Sequence, residues 1–410
     1  MVARQVGASL SLVLIALLCL TCGEDKPTDS GGNTAPTAAF TVSPGLGGTE
    51  VTFQVDASGC SDAQDTVSLL EVRWDWENDG WDTGWSTMKT ASHQYSSPGT
   101  KTIKLEVRDT GGMTDDTTRA VAVSGVNVPP MVLVPAGTFE MGDDGPAYCA
   151  TEHQVTLTSS FYLGKYEVTN QEYRDALQWA YDHGYVTRTS GVVNDNLDGS
   201  TALLVDLTDS RCQISFSQGA FTVASGKENH PMVEVSWYGA AAYCDWLSLQ
   251  AGLARAYNHS TWQCNDGNPY TAAGYRLPTD AEWEYATQYS GERTYPWGAE
   301  SPDCSRANYN HYFCVGSTTP VGSYPAAPAS LDMYDMAGNV WEWCNDWHTC
   351  DLGTAPAENP TGPASGSYPV LRGASFEDSD FDLRCTLRYY GVPRSLTGDI
   401  YGFRCACSQQ

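Results

Sequence analysis

The cysteines are the residues of this sequence with the widest range of possible chemistry, and the 410-residue chain has 14 of them. Thiolates coordinate soft metals, carry redox reactions or form disulfides. A zinc ribbon needs paired CxxC motifs, and none are present. The seven histidines form no HxxxH pair. The role of the thiols therefore depends on the compartment in which the chain folds.

Two short segments place oxygen-bearing side chains at the alternating spacing of a calcium-binding loop. In the first, residues 75–80, the acid that should close the loop would fall on Ser86, so we favour a strand followed by a turn. The second, residues 194–199, has a similar pattern and is compatible with either a calcium loop or an Asx-rich turn.

Composition narrows the functional classes. The chain carries 49 acidic and 22 basic residues, a formal net charge of -27, which argues against nucleic acid as a partner. No P-loop, GxSxG or dinucleotide fingerprint stands in a suitable context. Hydrophobic residues make up 41% of the chain, enough for folded cores, and the length predicts two or three domains.

The N-terminal segment predicts export. Residues 1–22 read as a signal peptide with a lipoprotein-like site, because Arg4 precedes an apolar run over 6–20 that ends just before Cys22. Residues 23–36 are polar and rich in Pro, Gly and Ser, as in a flexible tether. We expect lipidation of Cys22; the alternative is ordinary cleavage and a soluble secreted protein. Either outcome favours disulfides among the 12 cysteines left after Cys19 and Cys22.

Residues 37–125 read as a small all-β domain. Short runs of alternating apolar and polar residues recur between Gly, Pro, Asp and Ser clusters, which predicts an immunoglobulin-like sandwich. The phrases at 72–80 and 95–109 resemble the PKD family, whose members serve as spacers or weak binding modules. Cys60 is the one cysteine of this segment, so it is free or paired across domains.

The remaining chain, residues 128–410, is rich in aromatic residues, Gly and Cys, and predicts few helices. One helix is expected over about 170–181, a second after Ser236 and a third from Thr279, where Thr279 and Glu282 form a capping box. We expect irregular structure between these helices, including residues 182–229.

An ordered set of motifs in this region resembles the sulfatase-modifying factor family, whose founding member is the formylglycine-generating enzyme. The motifs lie at 131–142, 166–170, 230–244, 274–285, 295–298, 336–343, 371–375 and 402–405. The resemblance implies an α+β fold of the C-type-lectin-like kind. The expected architecture is thus multidomain, a PKD sandwich followed by this domain.

The resemblance also implies where copper chemistry would lie. Catalytic members carry two cysteines between the Gly-Gly-Ser strand and the following Arg-Cys strand; they bind Cu(I) and use O2 to oxidise a substrate cysteine. Here the stretch from Ser375 to Cys385 is short and acidic, and Cys385 is its only cysteine. We therefore expect the copper site to be missing.

Structural sites of the family map more completely. Asn339 and Glu342, with backbone carbonyls near Ala337 and Val340, match a family calcium site, and the alternative is that Asn339 turns the chain and Glu342 pairs with a cation. Asn308 and Tyr309 match half of a second calcium site, which lacks its acidic residue near 313.

The disulfide expectations have two origins. The family resemblance implies a Cys244–Cys405 disulfide, and it leaves Cys385 without a partner because the partner position falls on Thr287. Short spacing predicts a Cys304–Cys314 disulfide and, less directly, a Cys344–Cys350 disulfide.

Together these features predict an exported bacterial envelope lipoprotein with a non-catalytic binding or scaffold domain. Its expected partner is an extracellular or envelope protein, a peptide or a glycan, with structural Ca²⁺ and a lipid anchor in the membrane. The alternative is an active formylglycine-generating oxidoreductase or related oxidase, which would require Cu(I).

Overall fold

The computed structural model describes residues 32–49, 51–125, 127–143, 151–291, 293–310 and 312–409. The predicted signal peptide, the predicted lipidation site Cys22 and most of the predicted tether lie outside these residues. Within the described ranges, no helix is long and apolar enough to cross a membrane.

The N-terminal domain is a β-sandwich, as predicted. Its strands are β1 (Thr41–Ser43), β2 (Leu46–Gly48), β3 (Thr52–Asp56), β4 (Glu71–Asp75), β5 (Thr90–Gln94), β6 (Gly99–Arg108) and β7 (Thr114–Ser124). One sheet has the order β1-β3-β5, and the other contains β2-β7-β6-β4. Alternate residues of β6, namely Ile103, Leu105 and Val107, are buried between the sheets. Cys60 is a free thiol buried in this core.

The C-terminal domain is α+β, with short strands and three α-helices among the described residues. Its first strands are β8 (Met131–Val134), β9 (Gly137–Met141), β10 (His153–Leu157), β11 (Phe161–Gly164), β12 (Val186–Thr189), β13 (Val192–Asp195), β14 (Leu203–Asp206), β15 (Ile214–Ser217) and β16 (Ala220–Val223). Its later strands are β17 (Tyr257–Asn258), β18 (Gln263–Cys264), β19 (Trp341–Trp347), β20 (Ala357–Glu358), β21 (Pro369–Arg372), β22 (Tyr401–Gly402) and β23 (Ala406–Ser408). Short 3₁₀ turns occupy Asn265–Gly267, Pro269–Thr271 and Ala329–Leu331.

The three helices begin where the sequence predicts. The helices are α1 (Asn170–Asp182), α2 (Trp237–Gln250) and α3 (Asp280–Gln288). Thr169 and Thr279 each close a capping box with the Glu three residues later, and Ser236 caps α2 through its hydroxyl. These side chains satisfy backbone N–H groups that would otherwise lack partners at the helix starts.

The expectation of irregular structure over 182–229 is wrong. Strands β12, β13 and β14 form a three-stranded antiparallel sheet, and β15 and β16 form a hairpin. Each strand has only four residues, too few for alternation to be recognised in the sequence. Phe221 of the hairpin packs against Tyr181 at the end of α1.

One sheet runs through both domains. Its order is β23-β11-β8-β2-β7-β6-β4. Strand β2 of the sandwich therefore lies between β7 of the same domain and β8 of the C-terminal domain. The Gly45 N–H donates to Met131 O (2.9 Å), and Gly45 O accepts from the Ala122 N–H (3.0 Å). Leu46 is buried with Val128 and Met131 in the core of the C-terminal domain. The domains are therefore joined by backbone pairing as well as by the segment between them.

Candidate functional site

The loop after Ser375 is held closed by its own acidic residues. It follows β21, whose register with the central strand β19 pairs Arg372 with Glu342. Asp378 Oδ2 accepts hydrogen bonds from the Ser375 backbone N–H (2.9 Å) and hydroxyl, and Asp382 Oδ2 accepts from the Ser379 hydroxyl (2.6 Å). These carboxylates are hard oxygen donors, which do not replace the soft thiolates that Cu(I) prefers.

Cys385 lies behind this loop rather than in it. It is a buried free thiol, and its Sγ lies 3.9 Å from Thr287 O, in agreement with the predicted neighbour position. Burial raises the pKa of Cys385, so the reactive thiolate is disfavoured. Cys385 therefore fits a structural role.

A second loop, closed by a disulfide, contacts the loop after Ser375. Cys304 and Cys314 are bonded, as predicted from their spacing. The Asn310 N–H donates to Asp378 O (2.9 Å), which ties the disulfide loop to the loop after Ser375. Tyr312 and Phe313 in the disulfide loop are 90% and 80% exposed.

Exposed acidic and aromatic residues of these two loops define what we call the acidic–aromatic face. It consists of Tyr312, Phe313, Glu377, Asp380 and Phe381. The Arg384 guanidinium lies over the Phe381 ring at 3.8 Å, so this ring already has a cation on its face.

The residues predicted to bind calcium meet in one buried network. The Asn308 amide donates to Asn339 Oδ1 (3.2 Å), and the Asn339 N–H donates to Asn308 O (2.8 Å), so the two predicted sites are adjacent. Tyr309 is almost fully buried, and the Val340 N–H points to Glu167. Glu342 is paired with Arg404 (2.6 Å), and Asn339 has a left-handed φ of 67°. The ion pair and the left-handed φ match the alternative interpretation, in which Asn339 turns the chain and Glu342 pairs with a cation.

Sequence reasoning did not single out Glu167 and Asp335, which complete the network. Burial raises the pKa of Glu167 well above its usual range and that of Asp335 to about 6, and the nearby Glu342 adds to both shifts. Asp335 Oδ1 and Asn308 Oδ1 are buried without a hydrogen-bond partner among the described residues. Three carboxylates thus surround the single guanidinium of Arg404. The network thus combines an excess of negative charge with two unpartnered oxygens, but within the described residues no group of three or more His, Cys, Asp or Glu side chains is arranged to hold a metal ion.

In both segments with the spacing of a calcium-binding loop, the carboxylates bond to other groups of the protein. Asp75 accepts from the backbone N–H groups of Glu77, Asp79 and Gly80, so residues 75–80 form the favoured turn. In the segment 194–199, Asp195 bonds to His259 (2.8 Å) and Asp198 pairs with Arg255 (3.1 Å). The Leu197 N–H also donates to Asp195 Oδ1 (3.4 Å), which is the hydrogen bond of an Asx turn.

The other two disulfides expected from the sequence, Cys244–Cys405 and Cys344–Cys350, are not formed in the structure. Cys244 and Cys405 are both buried, with their sulfurs 3.7 Å apart and not bonded. Cys350 is disulfide-bonded while Cys344 is a buried free thiol, so the expected Cys344–Cys350 pair is wrong. Cys344 lies within β19, where its side chain packs into the core.

Comparison with known proteins identifies the family. The model of the sulfatase-modifying factor enzyme 1-like domain matches residues 117–409, and a PKD domain model matches residues 33–124. The chain belongs to the sulfatase-modifying factor family. Its domain of this family is preceded by a PKD domain, as the two-domain fold indicates.

Relatives within the family carry different names. The chain is 36% identical over 281 residues to the serine/threonine-protein kinase pkn1 of Chlamydia pneumoniae, covering 67% of this chain and 37% of the kinase. It is 31% identical over 318 residues to the formylglycine-generating enzyme of Streptomyces coelicolor, covering 67% of this chain and 88% of that enzyme. Treponema denticola variable protein 1 aligns at 23% identity and a TM-score of 0.49, covering 76% of this chain and 100% of its own. The chain thus spans little more than a third of the kinase that it matches.

Proposed function

We propose that this protein is a non-catalytic binding or scaffold module of the bacterial cell envelope. The observation that carries the proposal is the loop after Ser375, where Asp378 and Asp382 are bonded to neighbouring serines and Cys385 is buried away from them. Without a thiolate pair, this loop offers no soft ligand set for Cu(I). The scaffold is retained while the expected reactive centre is replaced.

The partner we propose is a protein, peptide or glycan that carries cationic groups. The acidic–aromatic face presents Glu377 and Asp380 beside exposed rings, and cations bind favourably to both carboxylates and aromatic faces. The predicted lipid on Cys22 would hold the protein at a membrane, with the PKD domain between the anchor and this face.

The catalytic alternative is tested by copper and substrate together. The mature chain is titrated with Cu(I) and then incubated with a sulfatase-type cysteine peptide and O2, with the Streptomyces coelicolor enzyme as positive control. We expect no tight stoichiometric copper and an unchanged peptide mass. A stoichiometric Cu(I) complex with conversion to formylglycine would overturn the proposal.

The binding surface is tested by its charge and its rings. Arrays of peptides that differ only in Lys and Arg content are probed with the wild type, the double variant Glu377→Gln/Asp380→Asn and the double variant Tyr312→Ala/Phe313→Ala. We expect retention to rise with peptide charge and to fall in both variants. Equal retention by all three proteins would count against this face.

Calcium is proposed as a structural ion of the buried network. Because an ion that binds only the folded state raises stability by mass action, we expect Ca²⁺ to raise the Tm relative to excess EGTA. The shift should shrink in Asp335→Asn, which removes a carboxylate charge next to Arg404. An equal shift in wild type and variant would place any calcium elsewhere.

A further inference from the structure

A cavity of about 420 Å³ opens at the end of β19, away from the acidic–aromatic face. Its lining includes Gln263, Asn345, Asp346, Trp347 and Arg394, and the turn at 361–365 forms its rim. The volume lies in the range of small-molecule sites. Amides and hydroxyls supply much of the lining, so the cavity suits a polar ligand.

Arg394 is the unusual member of this lining. The residue is only 8% exposed, and its guanidinium lies between the rings of Trp237 (3.5 Å) and Trp347 (3.6 Å). It donates one long hydrogen bond, to Asn345 O at 3.4 Å, and its Nε has no partner in the described part of the chain. Burial lowers the pKa of Arg394 to about 10, which leaves it charged at neutral pH. A buried cation with unused donors favours an anionic ligand.

The one carboxyl group of the lining does not neutralise this charge. Asp346 is 4% exposed, and its Oδ2 accepts from the Asp280 N–H (3.0 Å) at the start of α3. Burial and the charge of Asp280 raise the pKa of Asp346 to about 8, which weakens its negative charge near neutral pH. The other titratable groups near Arg394 are the phenols of Tyr238 and Tyr257. In a protein with a net charge of -27, this cavity is thus lined by a buried guanidinium.

We propose that this cavity binds a small hydroxylated carboxylate of the sugar-acid class. Arg394 lines the cavity, and its guanidinium would receive the carboxylate in a charge-assisted hydrogen bond. Gln263, Asn345 and the hydroxyls of Thr261, Thr361 and Ser365 would bond to the ligand hydroxyls. This site is separate from the acidic–aromatic face. The proposal does not depend on whether the loop after Ser375 binds copper.

The test compares a charged sugar with its neutral counterpart. Calorimetric titration of the mature chain uses glucuronate and glucose as probes. We expect glucuronate to bind and glucose to bind at least about tenfold more weakly, because glucose lacks the carboxylate that forms the charge-assisted hydrogen bond. Absence of glucuronate binding to the folded wild type, or equal binding of glucose, would overturn the proposal.

Variants locate the binding. Arg394→Gln removes the charge and should weaken glucuronate binding at least about tenfold. Because Arg394 also packs between two indoles, Ala364→Trp provides a second variant: Ala364 is exposed at the rim, so the new ring should block the cavity without altering the core. Arg188→Gln is the matched control, since Arg188 also lies over an aromatic ring, that of Phe216, but outside the cavity lining. Unchanged affinity in the folded Arg394→Gln and Ala364→Trp proteins would sink the assignment.

Discussion

His259 is buried between two carboxylates from different parts of the chain. Its Nδ1 lies 2.8 Å from Asp195 in β13, and its Nε2 lies 3.0 Å from Asp245 in α2. A third carboxylate, Asp198, accepts from the His259 backbone N–H and pairs with Arg255. The ring also stacks on Trp262 at 4.2 Å. His259 therefore fastens the inserted sheet β12–β14 to the helical core.

We predict that part of the stability depends on the charge of His259. Burial opposes that charge, but the bonds to Asp195 and Asp245 outweigh burial and raise the pKa to about 8. Since this value lies above the unfolded pKa of about 6.5, the contribution is complete below pH 6.5 and is lost as the pH rises through 8. The loss should be about 2 kcal/mol of unfolding free energy, measured by urea denaturation at pH 6 and pH 9.

The control for this prediction is His259→Gln. The variant should be less stable at pH 6 yet lose about 2 kcal/mol less than the wild type between the two pH values. The wild type must be compared with this variant because other groups also make stability fall as the pH rises. Burial raises the pKa of Asp346 to about 8 and that of Glu234 to about 7. Identical pH dependence in both proteins would show that His259 is neutral in the fold.

A second prediction concerns the buried thiols Cys244 and Cys405. Their sulfurs lie 3.7 Å apart, so a small side-chain rotation would allow a bond. We expect them to pair when the protein matures in an oxidising compartment, which would contribute roughly 4–5 kcal/mol in the entropic description. Peptide mapping without reduction should find this pair alongside Cys304–Cys314. Complete alkylation of both thiols in the unreduced, unfolded protein would contradict it.

At the level of elements, the start of α3 concentrates several interactions on one side chain. The fully buried Thr279 hydroxyl accepts from the Glu282 N–H (3.1 Å) and contacts the Tyr270 hydroxyl (3.1 Å). Glu282 returns a bond to the Thr279 N–H and also pairs with Arg276 (2.6 Å). The cap thereby positions the helix from which Asp280 and Glu284 hold Arg372.

We predict that Thr279→Ala lowers the unfolding free energy by about 1–2 kcal/mol, because it removes the cap. Thr279→Ser keeps the hydroxyl and should retain most of that stability. Urea denaturation of the two variants under the same conditions measures the difference. Equal stability of the Ala and Ser variants would mean that the hydroxyl contributes little and that packing of the methyl group dominates.

These examples show which parts of the molecule the sequence can reveal. Helix starts are local, because a cap and its partner lie three residues apart, and the starts of α2 and α3 were predicted from Ser236 and Thr279. The Cys304–Cys314 disulfide was predictable for the same reason, since ten residues separate its cysteines. The partners of His259 lie 64 and 14 residues away, and no local pattern marks them.

The loop after Ser375 and the buried network around Asn339 show the same contrast. The absence of a cysteine pair after Ser375 can be recognised from the sequence alone, because the positions concerned lie in one short segment of the chain. Glu167 is a different case, since its bond to Asn339 spans 172 residues. Only the fold reveals that Asn308, Asn339 and Glu342 share one charged interior with Glu167 and Asp335.

At the scale of the whole molecule, the sheet shared by the two domains was not predictable. Strand β2 has only three residues, two of them glycines, so it carries no periodic signal. Its position is fixed by long-range pairing with β7 and β8. Beside it, Lys165 of the C-terminal domain pairs with Asp332, which also accepts from the Ser43 hydroxyl (2.6 Å). The PKD domain is thus a fixed extension of the C-terminal domain rather than a freely hinged spacer.

We therefore predict that the two domains unfold together. Calorimetry of the mature chain should show one transition, because opening β2 exposes Leu46 in the C-terminal core and breaks its pairing on both sides. Leu46→Ala should cost about 2–5 kcal/mol, the usual range for truncating a buried leucine, and should separate the transition into two. Leu69→Ala is the matched control, since Leu69 is exposed in the turn before β4, at the opposite edge of the sheet's sandwich strands from β2, and should leave the single transition intact. Two transitions in the wild type would mean that the shared strand does not couple the domains, and that the PKD domain is hinged at the segment between them.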